Sequence, residues 1–93
     1  MELEAEEQVQ AQFVEAALLA LSAECEIGKT FSPMDAAKRA CVLDGRAEAA
    51  WPSRLSEVRR AAVRLAQEKR LVIYRKRKAV DPQAFKGVYR LGP

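Results

Sequence analysis

The stretch Leu71-Val72-Ile73-Tyr74-Arg75-Lys76-Arg77 passes from β-branched and aromatic residues to consecutive charges, a composition that predicts a β-strand running into an exposed basic turn. Downstream, Val88-Tyr89-Arg90-Leu91 reads as the return strand. Between them, Lys78 to Gly87 contains Asp81-Pro82 and Gly87, so it reads as the connecting loop. If Tyr74 and Tyr89 pair across this hairpin, they read as cross-strand packing before base-stacking platforms, and the Asp81 carboxylate is expected to accept local backbone amides.

Immediately before the strand, Leu55, Val58, Ala62 and Leu65 recur at intervals of three, four and three, with Ala61 and Ala66 at the margins. That is the apolar stripe of a helix. Ser53, after Trp51-Pro52, is expected to cap it. At about 100° per residue, Ser53, Ser56, Arg60, Arg64 and Gln67 project opposite the stripe, with Glu57 and Arg59 on its flanks. Arg60 and Arg64 are four residues apart, an arrangement that disfavours an isolated helix and so favours a function for the pair. Trp51 is expected to plug a helix–helix corner.

Working further outward, Ser32-Pro33-Met34-Asp35 is a helix start, with Ser32 as N-cap, proline at the first helical position and Asp35 as the capping-box acid. This helix runs to about Leu43 and stops at Asp44-Gly45. Met34, Ala37, Cys41 and Val42 are expected inward, and Lys38 and Arg39 outward. Thr30-Phe31 is long enough only for a strand stub that borrows a partner from the hairpin. The first helix carries Val9, Phe13, Ala16, Ala17, Ala20 and Leu21 at helical spacing and ends near Glu24 to Glu26. Residues 1–8 read as an acidic extension that frays, and 9–93 as a single domain. Helix, stub, two helices, strand, loop and strand is the order of a winged helix-turn-helix: mainly α with a small antiparallel sheet (α+β) and a basic wing.

Composition agrees with one modest core. The chain has 93 residues, 49% hydrophobic but only 6% aromatic, which suits helices packed through Ala, Leu and Val. A net charge of +3 hides a division. Residues 1–53 carry four basic against ten acidic residues, and residues 54–93 carry twelve against three. Such asymmetry implies a positive face attractive to phosphate backbones or acidic proteins. The longest nearly uncharged stretch, Ala16 to Ala23, is far short of the ~20 residues that span a bilayer. With an acidic N-terminus and two cysteines outside any C-x-x-C pair, the expectation is a cytoplasmic protein without a membrane partner, its Cys25 and Cys41 reduced.

Several of these pieces resemble the small bacterial winged-helix family catalogued as domain of unknown function 3253. The resemblance runs over residues 13 to 91. It is carried by Ser32-Pro33-Met34-Asp35-Ala36-Ala37 with Arg39, the isolated Trp51, Val58-Arg59-Arg60-Ala61-Ala62 with Leu65-Ala66, Val80-Asp81-Pro82 and Lys86-Gly87-Val88-Tyr89-Arg90-Leu91. Two departures add charge. Lys69 stands where that family tends to have glycine after the third helix, and Arg77-Lys78 stand near its usual wing glycine. The resemblance implies a fold and no activity.

Catalysis finds little to work with. There is no histidine, which removes the commonest general acid–base group and the usual nucleophile and zinc arrangements. Gly28, Gly45, Gly87 and Gly92 are isolated, so no phosphate-cradling or dinucleotide fingerprint is present. The chain is therefore expected to bind rather than catalyse, without cofactor or metal. The leading expectation is double-stranded DNA, with Ser53, Ser56, Arg60 and Arg64 in the major groove and Arg75, Lys76, Arg77, Lys78 and Lys86 on phosphates. An acidic protein partner is the alternative and RNA a third; oligomeric state is left open by the sequence.

Overall fold

In a computed structural model, which describes residues 2–93 with side chains from residue 12 onward, the chain forms helices α1 (Glu2–Glu24), α2 (Pro33–Leu43) and α3 (Leu55–Gln67) and strands β1 (Val72–Arg75), β2 (Lys78–Ala79) and β3 (Arg90–Gly92). A 3-10 helix, Glu48–Arg54, leads into α3. The acidic stretch 1–8 and Val9 lie outside the described side chains.

Helix α2 starts as its sequence dictates. The Ser32 hydroxyl accepts from the Asp35 amide at 3.0 Å, and the Asp35 carboxylate accepts from the Ser32 amide at 3.0 Å, a complete capping box followed by proline at the first turn. Its inward face differs from the expected one: Ala36, Ala37, Ala40 and Cys41 are buried, while Met34 and Val42 are exposed. Alanines let the α1 and α2 backbones approach closely, and that gain outweighs burying the two larger side chains at the edge. In α1 the buried residues are Val14, Ala17 and Leu18, with Phe13 and Ala20 half-buried and Ala16 exposed. The apolar run of residues 16 to 21 nearly encircles the helix, so spacing alone does not select a face; contact with both α2 and α3 does.

Ser53 does not cap α3. It lies inside the 3-10 helix, where its hydroxyl donates to the Ala50 carbonyl at 2.8 Å. The chain is already helical when α3 begins, and the Leu55 amide is satisfied by Pro52, so that amide needs no side-chain cap. Trp51 is half-buried and packs against the core from this segment. Val58, Ala62 and Leu65 are buried on α3 as expected, whereas Leu55, at the first turn, is only half-buried and Ala61, expected at the margin, is buried.

The three strands make one antiparallel sheet in the order β2-β1-β3, and Phe31 adds a bridge to Leu91 on the far side of β3. The expected strand 71–77 is shorter because the chain reverses at Lys76-Arg77, both with positive φ (51° and 68°). Two left-handed residues match the right-handed twist of a tight hairpin. The immediate return strand is therefore β2, and β3 comes back along the other edge of β1, pairing Ile73 with Leu91 and Tyr74 with Arg90. Tyr89 is thus not opposite Tyr74. At the end of β3, a Cβ on Gly92 would lie 2.8 Å from the Lys29 carbonyl oxygen, so the strand seats there only with glycine. Leu18, Leu65, Ile73 and Leu91 are the largest fully buried side chains of the shared core, which Phe31, Phe85 and Tyr89 complete. Among the described residues no helix is long and apolar enough to cross a membrane.

The capping box gives a direct test. Ser32→Ala is expected to destabilise the domain by about 1 kcal/mol and to lower its Tm by about 4–8 °C; an unchanged melting curve would show that the proline alone sets the start of α2.

Candidate nucleic-acid interface

Arginine dominates the polar structure, and its side chains divide into two groups. The first holds the fold together. Arg39 makes two hydrogen bonds to Glu24 at 2.8 and 2.9 Å, joining α2 to the end of α1. That contact holds the Glu24 carboxyl below its ordinary value and raises the Arg39 guanidinium, through hydrogen bonding first. Arg54, only 5% exposed, pairs with Asp44 across the corner between α2 and α3. Arg59 lies 4.2 Å above the Phe85 ring and 5.6 Å from that of Tyr89, and it donates to the Phe85 carbonyl at 3.2 Å. It pins the segment between β2 and β3 onto α3.

Arg75 belongs to this first group, although its sequence context suggested a phosphate contact. Its Nε donates to the Val88 carbonyl at 2.9 Å, and its guanidinium covers Gly87, where a Cβ would come within 3.2 Å of Nη2. Gly87 has φ +81° and leaves room for that cover. Arg64 is half-committed: it is 49% exposed but pairs with Glu15 of α1 at 2.9 Å, and Glu15 also reaches Arg70 at 3.4 Å.

The second group points outward. Ser53, Ser56 and Arg60 are exposed on the 3-10 helix and α3, as are Lys76, Arg77 and Lys78 at the hairpin and Lys86 beyond it. Among the described residues none of these five cations has an ion-pair partner. Lys86 is held out from a braced stretch, since Phe85 before it is anchored by Arg59 and Val88 after it by Arg75. The Asp81 turn forms as expected, with its carboxylate accepting from the Gln83 amide at 2.9 Å. The arrangement offers fixed cations and hydroxyls; among the described residues no three His, Cys, Asp or Glu side chains are grouped to hold a metal.

A family model described as protein of unknown function (DUF3253) matches residues 11–93. The chain belongs to that family. Among curated proteins none matches. Membership covers every residue of the site, from Ser53 to Lys86, and brings no activity with it. Sequence reasoning passed over Arg54 and placed Arg59 on the flank of the α3 stripe without a role. For Arg59 the available signal was Phe85 and Tyr89, two aromatics four apart in a segment too short for a helix, which need something to cover them.

Tyr89 supplies the test of this packing. Burial raises its pKa above 10.0, while the Arg59 charge pulls the other way. In the unfolded chain the phenol ionises near its ordinary value and in the folded domain above it, so stability should fall as pH rises past about 10. Tyr89→Phe is expected to flatten that alkaline loss in urea unfolding midpoints; an equal loss in both proteins would mean the phenol is not desolvated.

Proposed function

We propose that the domain binds double-stranded DNA, with α3 directed at base edges and the Lys76-Arg77-Lys78 tip on the phosphates beside them. The observation that carries this reading is the sorting of charge: Arg39, Arg46, Arg54, Arg64 and Arg70 are paired with carboxylates, whereas Arg60 and the three hairpin cations face water without one among the described residues. Unneutralised cations on an exposed helix face and on a hairpin tip gain most from a polyanion, through release of its counterions. Arg60, with Ser56, is the base-reading candidate. Arg64 joins it only by leaving Glu15, and Ser53 only through its remaining acceptor sites. Duplex RNA fits less well, because its deep, narrow major groove does not admit a helix. In this reading the domain works in the cytoplasm, where its two cysteines remain thiols, and acts by binding rather than catalysis.

Neutralising Lys76, Arg77 and Lys78 together is expected to weaken binding to all duplex sequences alike and to reduce the slope of log affinity against log salt by roughly 2 to 3 units. Arg60→Ala should cost about 1 to 3 kcal/mol on a preferred site and relax base choice there. Both changes lie on exposed positions, so melting temperature is the control. If the unmutated protein has no affinity for duplex DNA at low salt, the reading passes to an acidic protein partner.

A further inference from the structure

Left-handed backbone is cheapest for glycine, and this chain uses glycine for it at Gly28, Gly45 and Gly87. Among the described residues only three non-glycine positions have positive φ: Lys69 at 61°, Lys76 at 51° and Arg77 at 68°. All three are cations. With 16 basic residues among 93, that coincidence is a rare outcome of chance. Neither Lys nor Arg has the short polar side chain that lets Asn or Asp offset the strain by bonding to its own backbone. Strained backbone that persists where a cheaper residue would serve points to work done by the side chain.

Two of the three form the hairpin tip already described. Lys69 is separate. It follows α3 as the left-handed residue of its C-terminal cap: its amide donates to the Ala66 carbonyl at 3.0 Å and the Arg70 amide to the Leu65 carbonyl at 2.9 Å. This is the Schellman arrangement, in which that position is usually glycine. Around it, Glu15 pairs with Arg64 and Arg70, and Glu68 lies 3.9 Å from Arg64 and 3.6 Å from Arg70. Those two carboxylates and two guanidinium groups offset one another. Lys69, exposed and outside every ion pair among the described residues, is the uncompensated charge of the group.

We propose that Lys69 is a second phosphate anchor, at the opposite end of β1 from the hairpin tip, and that the chain accepts left-handed strain at Lys69, Lys76 and Arg77 in order to hold cations against a phosphodiester backbone. The proposal rests on the DNA reading above. Lys76 follows Lys69 by seven positions, a Cα–Cα span of at most about 25 Å, which lies within one helical turn of a duplex, about 34 Å. The tip and Lys69 are therefore close enough to engage phosphates within one turn of the same duplex.

The experiment pairs melting temperature with a salt series on random-sequence duplex DNA, using the full chain and the variants Lys69→Gly and Lys69→Arg. Lys69→Gly is expected to melt about 5 °C higher, yet to bind about three- to tenfold more weakly at moderate salt, with a slope reduced by about one unit. Lys69→Arg, which keeps charge and strain, should match the parent in both. A glycine variant with the parent's affinity and slope overturns the anchor while leaving the DNA reading intact. A glycine variant that melts no higher than the parent overturns the trade of strain for charge. A parent protein that binds no duplex DNA overturns the DNA reading and the anchor together.

Discussion

Two backbone hydrogen bonds between Phe31 and Leu91, at 2.8 and 2.9 Å, tie the acidic half of the chain to the basic half. Without them the three short strands would lose their backbone tie to the segment between α1 and α2. With them, Leu91 is fully buried and Phe31 is 6% exposed. The side chains repeat the link outside the core, where the Arg90 Nε donates to the Thr30 hydroxyl at 2.7 Å. The hairpin part of the basic surface is positioned from this seam. It fixes β3, β3 fixes β1, and β1 carries the hairpin whose tip projects into water.

The division of labour among cations follows from desolvation. Arg54 is buried with its Nη2 on Asp44, but among the described residues its Nη1 has no partner, and neither does the buried Oε2 of Glu57. Groups left so are expensive, and a hydrophobic corner between α2 and α3 could be more stable. What the buried pair provides is a fixed geometry at the corner that aims α3. Arg59 and Arg75 do comparable work for the segment after β2, each using a carbonyl rather than a carboxylate as acceptor.

Elements governed by short-range chemistry were legible in the sequence. Ser32-Pro33-x-Asp35 states its own capping box, Asp81-Pro82 its own turn, and the stripe of α3 its buried face, because in each the partners lie within a few residues. Less was legible where distant packing chose among local equivalents. The apolar belt of α1 offers several faces, and Met34 and Val42 lost their expected places to alanines. At Ser53 a 3-10 turn stood in for a cap. The hairpin tip was hidden for another reason: Lys76-Arg77 occupies a turn whose usual signature is Asn-Gly, so the chain gave no local sign of reversing there. Of the candidate site, exposure at Ser56, Arg60, Lys76, Arg77, Lys78 and Lys86 followed from pattern. The attachments of Arg64 and Arg75 required knowledge of which distant groups lay opposite.

The strand that comes last in the chain lies inside the sheet, between β1 and Phe31. This sets an order of events in time. Helices and the β1–β2 hairpin can form from neighbours in sequence within microseconds, but closing the seam brings together residues 60 apart, as for Arg90 and Thr30, and loop closure must precede any gain from it. Until then Phe31 and Ile73 lack the neighbour that covers them. Any chain in which that seam has not closed leaves an apolar slot shaped for one strand, and such a slot is where a strand of another chain can pair instead.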